Sequence, residues 1–296
     1  MAFPADAQWA SLHFVLKEVD EMLTEELEKK ALEIREKVID YAYKAGNCHV
    51  GGALSTIDIL TALYYKIMEH NPQNLFWEER DRFILSKGHG ALGLYVILAD
   101  LGYFPETHLN TYKKMGSILQ GHPDASKTPG IEMSVGSLGQ GISYGIGKVL
   151  ALKLKGLKNK VYVMVGDGEL QEGQNWEAIA SAYHFHLENL IVIVDHNKLQ
   201  LDESLHGILS YGKLEQKFRS FGWQVREMDG HNMKEIIENF NVNDSHGPTA
   251  IIAHTVKGKG ISFMENEVSW HCNTIHVEQY AIAKKELHLW REGLKV

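Results

Sequence analysis

Apolar residues recur at helical spacing through the first part of the chain, with charged residues on the opposite face. This period predicts one helix over residues 9–23 and a second over 27–41, which Gly46 ends because glycine favours a helix terminus. A third helix is predicted over 59–68. The residues before it, 55–58, read Ser-Thr-Ile-Asp and resemble the capping box that begins many helices. We therefore expect a helical N-terminal part.

Short apolar runs of a different kind lie in the second half of the chain. The runs at 161–165 and 190–194 are typical of buried strands, and a helical pattern at 176–185 separates them. A third candidate strand covers 249–256, and a helix is predicted over 142–154 after a glycine-rich stretch. Strands that alternate with helices predict an α/β fold, in which helices flank a parallel sheet.

Composition narrows the classes of protein that fit this pattern. The 296 residues include 30 Lys and Arg against 38 Asp and Glu, a net charge of −8, with 44% hydrophobic and 23% charged residues. This balance excludes a disordered chain, and the acidic charge argues against a nucleic acid or a membrane as partner. The apolar runs are far shorter than the roughly 20 residues of a membrane span, and no signal peptide is visible. We expect a cytoplasmic protein.

The sequence contains no internal repeat, low-complexity tract or proline-rich linker that would mark a domain boundary. We therefore expect one domain over residues 1–296, with a helical extension at about 1–23. The two cysteines, Cys48 and Cys272, are too few for a disulfide framework.

Polar residues follow two of the predicted strands directly. Ligands of a parallel sheet collect at the carboxyl ends of its strands. The Asp167 carboxylate, the Asn197 amide oxygen and the backbone carbonyl of Leu199 are hard oxygen donors that suit Mg²⁺. Gly166 and Gly168 leave the backbone N–H groups open to a diphosphate. Gly-Asp-Gly alone is more typical of a turn, but the paired asparagine favours a metal site.

The Gly-Asp-Gly segment together with Asn197 resembles the motif of thiamine diphosphate enzymes, and the surrounding segments resemble transketolase. These segments follow the order of that family along most of the chain, from about Leu27 to His271. They cover residues 46–52, 81–89, 121–123, 136–141, 166–173, 257–260 and 270–271.

The resemblance implies a thiamine diphosphate-binding fold and assigns the groups that hold the cofactor and its metal. It places Mg²⁺, or another divalent ion such as Ca²⁺ or Mn²⁺, on Asp167, Asn197 and the Leu199 carbonyl. It places a second set of residues along the diphosphate and the aminopyrimidine. That cofactor-binding set is His89, Gly136, Ser137, Leu138, Gly166, Asp167, Gly168, Asn197 and His271.

The resemblance also implies three catalytic histidines, His49, His122 and His271, which would face the thiazolium and the sugar. Imidazoles suit this position because protons must leave and return to hydroxyl groups near neutral pH. Taken singly, each histidine could equally be a packing residue. The implied reaction transfers a two-carbon ketol unit from a ketose or ketose phosphate to an aldose acceptor, through a carbanion-enamine on thiamine diphosphate.

A complete transketolase also has a pyrimidine-binding domain, which supplies the catalytic glutamate, and a C-terminal domain. Too few residues follow Gly260 for either one. We therefore expect a C-terminal partner subunit that carries the pyrimidine-binding domain, in a heterotetramer that acts on sugars or sugar phosphates and is inactive without the partner.

Two alternative functions remain open. The chain could be a non-catalytic, regulatory module that binds thiamine diphosphate, although the four histidines of the motifs count against it. It could also be the α-subunit of a 2-oxo-acid dehydrogenase or a deoxyxylulose-phosphate synthase, which share the metal motif. Residues 86–89, 121–123 and 270–271 favour transketolase.

Further charged residues follow the motifs. Glu172 and Glu177 resemble acidic residues that the family places at a subunit interface, although Glu177 could be a solvated helix residue. Lys257 and Lys259 suggest a phosphate-binding loop, but lysines after a strand are commonly exposed.

Each cysteine is adjacent in sequence to a candidate catalytic histidine, Cys48 to His49 and Cys272 to His271. A protonated imidazole favours the thiolate, so alkylation is predicted to inhibit the assembled enzyme and thiamine diphosphate to protect it. The alternative, two small buried hydrophobic residues, is favoured.

Overall fold

A computed structural model describes residues 24–241 and 247–294. The helix predicted over 9–23 lies outside the described residues. Helix α1 (Thr24–Ala45) confirms the second predicted helix. It ends at Gly46, whose φ of +78° lies in the left-handed region that glycine adopts with little strain.

The strands of the central sheet are parallel and agree with the predicted α/β fold. In chain order they are β1 (Arg82–Leu85), β2 (Val161–Gly166), β3 (Leu190–His196), β6 (Gln224–Asp229) and β7 (Thr249–His254), and their spatial order is β1-β2-β3-β7-β6. Strands β4 (Leu199–Gln200) and β5 (Glu203–Ser204) form a separate antiparallel hairpin. Asp195 in β3 pairs with Gly166 on one side and Ala253 on the other, so three carboxyl ends lie together.

Helices cover both faces of this sheet. After α1 they are α2 (Val50–Leu54), α3 (Ile57–Ala62), α4 (Ala91–Asp100), α5 (Gly141–Leu154), α6 (Gly173–His184), α7 (Leu205–Ile208), α8 (Leu214–Ser220), α9 (Met233–Phe240) and α10 (Val277–Gly293). Tyr162 and Met164 of β2 face the core that contains α1, α4, α9 and α10, whereas Val163 faces α5, α6 and α8. This alternation is the two-residue period of a strand buried on both faces.

The predicted capping box at residues 55–58 is wrong. Thr56 precedes α3 but makes no capping hydrogen bond with its side chain. The Ser55 hydroxyl instead donates to the Gly52 carbonyl and, at 2.8 Å, to the buried carboxylate of Asp195. A charged carboxylate is a strong acceptor, so the Ser55 hydroxyl bonds to Asp195 instead of capping the helix. The helix predicted over 59–68 is α3 followed by one π turn, Leu63–Ile67.

Within the described part of the chain, no helix combines the length and the apolar character that crossing a membrane requires.

Candidate active site

A cavity of about 120 Å³ lies at the carboxyl ends of β2 and β3. Most of the predicted cofactor and metal residues line it, which is the position where a parallel sheet collects ligands. The predicted residues that line the cavity are His89, Leu138, Gly166, Asp167, Gly168, Asn197, Leu199 and His271.

The turn after β2 fixes the carboxylate of Asp167, which is only 2% exposed. Its Oδ1 accepts a hydrogen bond from the Gly168 N–H at 2.8 Å. Its Oδ2 accepts from the Lys198 N–H at 2.6 Å and contacts His196 Nδ1 at 3.1 Å. The Asp167 carboxylate therefore ties the end of β2 to the turn that follows β3.

The side chain of Asn197 lies in that second turn and is held on both sides. Its Nδ2 donates to Asp195 Oδ2 at 3.0 Å, and its Oδ1 accepts from the Leu199 N–H at 3.1 Å. Asn197, Asp167 and Leu199 thus supply one carboxylate and two carbonyl-type oxygens at one cavity.

This donor set fits a hard divalent cation bound to a diphosphate, which needs few carboxylates because the phosphate oxygens complete the octahedron. Among the described residues, no group of three or more His, Cys, Asp and Glu could hold a metal by itself. Gln200 also lines the cavity, and its buried Oε1 accepts no hydrogen bond from the described atoms. An oxygen without a donor beside these three ligands is consistent with a cation site.

A buried ion pair that the sequence analysis missed lies beside the cavity, which Lys87 also lines. Asp195 is fully buried and pairs with Lys87, whose Nζ also donates to the Gly52 carbonyl at 2.9 Å. Burial alone would raise the pKa of Asp195, but the Lys87 ammonium and the hydroxyl donors outweigh it and lower that pKa. The carboxylate is therefore ionised.

Glu169 is a second buried carboxylate that the sequence analysis missed. It accepts hydrogen bonds from the Ser86 hydroxyl, from the Gly139 N–H at 2.9 Å and from the Gly166 N–H at 3.0 Å. Burial raises its pKa, whereas these donors act in the opposite direction. Glu169 joins the loop that precedes α5 to the end of β2, so it shapes the cavity wall.

The histidines of four separate motifs come together, and two of them, His89 and His271, line the cavity. Ring centroids of His49 lie 5.5 Å from His89, 6.0 Å from His122 and 5.3 Å from His271. The His89 and His271 rings are 5.1 Å apart. The predicted set is thus brought into one cluster, which we call the histidine cluster. Gly136 lies against the His122 ring, whereas Ser137 is exposed outside the cavity.

Every ring of the histidine cluster has a lowered pKa. Burial, with the neighbouring His122 and lysines, lowers the pKa of His49 to about 4, and burial with Lys257 does the same for His271. Burial also lowers the pKa of His89 and of His122. The four imidazoles are therefore neutral at pH 7.

We expect these lowered pKa values to reduce stability in acid. Unfolded histidine takes up a proton near pH 6.5, whereas folded His49 and His271 do so only near pH 4. Between these values the unfolded state binds more protons, so stability falls as the pH is lowered from 6.5 to 4. Urea titrations across this range should show a steeper loss for the native chain than for a His49→Gln, His271→Gln variant. If the stabilities of the native chain and the variant fell equally as the pH was lowered, the lowered pKa values of His49 and His271 would be contradicted.

Lys257 is buried, at 2% exposure, and lines the same cavity. Its Nζ lies 3.0 Å from His271 Nδ1. Burial and the nearby Lys87 lower its pKa to about 8. Because an ammonium only donates, His271 accepts at Nδ1 and carries its proton on Nε2. The phosphate-binding interpretation is therefore favoured for Lys257, whereas Lys259 pairs with Glu265 and lies outside the cavity.

A buried network anchors the loop that carries Lys257. The Asp58 carboxylate accepts from Arg35 at 2.8 Å and from His231 Nδ1 at 2.7 Å. His231 Nε2 in turn accepts from the Val256 N–H at 2.8 Å. The network links α1 and α3 to the residue that precedes Lys257.

The structure contradicts the premise of the thiol hypothesis. Cys48 is buried, and burial raises its pKa to about 12. The adjacent His49 is neutral at pH 7, so no imidazolium stabilises a thiolate there. Cys272 is exposed, and its thiol donates to Asn47 Oδ1 at 3.1 Å. The hypothesis is wrong for Cys48, and inhibition through Cys272 stays a prediction.

Alkylation should distinguish the two thiols. Iodoacetamide at pH 8 is expected to add one adduct to the folded chain, at Cys272, because Cys48 is both inaccessible and protonated. In urea both thiols should react, which serves as the control. Peptide mass spectrometry gives the sites, and equal labelling of Cys48 in the folded chain would contradict the burial argument.

Comparisons with known proteins agree with this geometry. An apulose-4-phosphate transketolase subunit of Actinobacillus succinogenes is 43% identical over 265 residues, which cover 89% of this chain and 96% of that protein. The 6-deoxy-6-sulfo-D-fructose transketolase subunit of a Clostridium species is 42% identical over 270 residues, 90% of this chain and 98% of that protein. Both are named as transketolase subunits, which confirms the expected function and does not favour either alternative.

Comparison with solved structures also identifies transketolase. The crystal structure of transketolase from Campylobacter jejuni superposes with a TM-score of 0.84 at 31% identity, over 88% of this chain and 42% of that one. The family model described as the thiamine diphosphate binding domain of transketolase matches residues 27–292. The chain therefore belongs to the transketolase family, as a thiamine diphosphate binding domain.

Proposed function

We propose that this chain is the diphosphate-binding subunit of a two-chain, cytoplasmic transketolase that transfers a ketol unit between sugars. The observation that carries the proposal is one cavity lined both by the metal donors Asp167, Asn197 and Leu199 and by two members of the histidine cluster. Those two members, His89 and His271, lie against the other rings of the cluster. A regulatory module would need only the metal and diphosphate groups, so the cluster supports catalysis. The partner subunit would supply the pyrimidine-binding domain, in a heterotetramer.

Asp167, Asn197 and the Leu199 carbonyl would hold Mg²⁺, and His89 and Lys257 would bind diphosphate oxygens. The cofactor, when bound, supplies a nucleophilic carbon that adds to the ketose carbonyl and retains the two-carbon unit. Gly136 and Leu138 would lie along its aminopyrimidine. Exposed Glu172 and Glu177 would lie at the partner interface.

The histidine cluster would move protons at the sugar hydroxyls. A neutral imidazole can accept a proton at one nitrogen and donate a hydrogen bond from the other. His271, with its proton on Nε2, can donate to an oxygen that becomes negative during the reaction. His49 and His122 would accept protons from hydroxyl groups.

The names of the two relatives suggest the donor class. Those proteins act, by name, on apulose-4-phosphate and on 6-deoxy-6-sulfo-D-fructose, and both sugars carry an anionic group. We therefore propose that the donor of this enzyme is a ketose phosphate or a ketose sulfonate.

A reconstitution assay tests the proposal. The tagged chain is recovered from its native extract with any partner, and the complex is incubated with a ketose phosphate, a sulfonated ketose or pyruvate, plus thiamine diphosphate and Mg²⁺. We expect turnover of a ketose but not of pyruvate, and none by the chain alone. Turnover of pyruvate, or of a ketose by the chain alone, would contradict the proposal.

A further inference from the structure

Asp195 lies at the end of β3, two residues before the candidate metal ligand Asn197, and is fully buried. Its Oδ2 pairs with Lys87 and accepts from Ser55 Oγ at 2.8 Å and from Asn197 Nδ2 at 3.0 Å. Its Oδ1 accepts from the Thr255 hydroxyl. Three of these donors, from Lys87, Ser55 and Asn197, meet at Oδ2 and hold that oxygen in place.

The amide of Asn197 can satisfy its neighbours in only one of its two orientations. An ionised carboxylate accepts hydrogen bonds but cannot donate, so Asp195 must face the NH₂ group of Asn197. The Leu199 N–H donates at 3.1 Å and therefore requires the amide oxygen on its side. Both contacts leave the oxygen, and not the NH₂ group, available at the cavity. The reverse orientation would direct two N–H groups at a cation.

We propose that Asp195 is a positioning residue, which holds the amide oxygen of Asn197 towards the divalent cation while Lys87 balances its charge. Partners that orient a metal ligand in this way commonly affect affinity by about 10–100-fold. The inference rests on the proposed function, because it assumes a cation beside Asp167 and Asn197. It adds a requirement that the ligands themselves do not reveal: the residue at position 195 must match the hydrogen-bonding character of the residue at 197.

The test exchanges the two side chains. Asn197→Asp gives the cation an additional carboxylate, which by itself would strengthen binding, but it also places two carboxylates about 3 Å apart. We expect it to weaken Mg²⁺ binding by about 10–100-fold. Adding Asp195→Asn removes the repulsion between the two carboxylates and restores the native charge. The double variant should therefore bind Mg²⁺ at least about tenfold more tightly than Asn197→Asp.

The measurement is a calorimetric titration with Mg²⁺, at saturating thiamine diphosphate, of the full chain assembled with its partner subunit. Thr255→Val is the matched control: it removes a hydrogen bond from the same carboxylate, at Oδ1, and leaves the Asn197 contact intact. Its dissociation constant should stay within about twofold of the native value. Thermal unfolding of each variant shows whether it is folded.

Recovery of affinity in the double variant supports the inference, because general damage to the fold would not be repaired by a second substitution. A double variant that binds no better than Asn197→Asp, or a Thr255→Val loss as large as that of Asn197→Asp, overturns it. If the native assembled complex binds no Mg²⁺ with thiamine diphosphate, the proposed function fails and the inference with it. Normal native binding without recovery overturns the inference alone.

Discussion

Replacing Asp167 by alanine is expected to lower the ketol-transfer activity of the assembled enzyme by at least about a thousandfold, or about 4 kcal/mol of transition-state free energy. Asp167 is the carboxylate of the proposed metal donor set, and it also anchors the Lys198 turn that carries Asn197. The substitution therefore removes a ligand and releases the turn. Initial rates at saturating Mg²⁺ and thiamine diphosphate measure the effect.

The control for this prediction is Asp202→Ala. Asp202 is an exposed carboxylate between β4 and β5, a few residues after the metal donors, and it does not line the cavity. Its removal changes the net charge by the same amount. We expect activity within about twofold of the native enzyme, as for most surface substitutions. An Asp167→Ala enzyme that keeps a tenth of native activity would contradict the proposed metal site.

Gly258→Ala is expected to destabilise the fold by at least about 3 kcal/mol. Gly258 follows Lys257 and has a φ of +78°, and a Cβ there would lie 2.3 Å from the Met264 carbonyl oxygen. The Gly258 N–H also donates to the Gly51 carbonyl at 3.0 Å, so the backbone cannot move away without losing that bond. Urea unfolding measures the change in the free energy of unfolding.

Gly46→Ala is a closely matched control, because Gly46 has the same φ of +78° but nothing within 4 Å of an added Cβ. It should show only the conformational cost of the left-handed region, about 1–2 kcal/mol. The difference between the two variants isolates the steric contact beside Lys257. Equal losses would mean that the loop relaxes around the new methyl group.

The strands that the sequence predicted are the three central ones, β2, β3 and β7. They are buried on both faces and therefore read as continuous apolar runs. The two missed strands, β1 and β6, lie at the edges of the sheet. In β6, the half-buried Arg226 and the exposed Glu227 interrupt the apolar pattern on opposite faces of the strand, because this edge strand is incompletely covered on both faces. Predicting strands from the pattern of apolar residues is therefore least reliable at the edges of a sheet.

The residues of the site also divide into those that the sequence predicts and those that it does not. Asp167 and Asn197 were predictable because each directly follows an apolar strand and the parallel topology brings the strand ends together. Lys87 and Asp195 were not, because 108 residues separate them and neither residue indicates its partner. The supporting groups of the cavity are fixed by tertiary contacts, which local patterns do not encode.

The histidine cluster has a consequence for the order of proton transfers. A charge on His122 opposes one on His49, and a charge on His49 opposes one on both His271 and His89. A proton bound by one ring therefore disfavours a proton on the rings beside it. In the proposed reaction, a proton that His49 takes from the donor sugar would oppose the uptake of a second proton by His122, His89 or His271 until it has left the cluster.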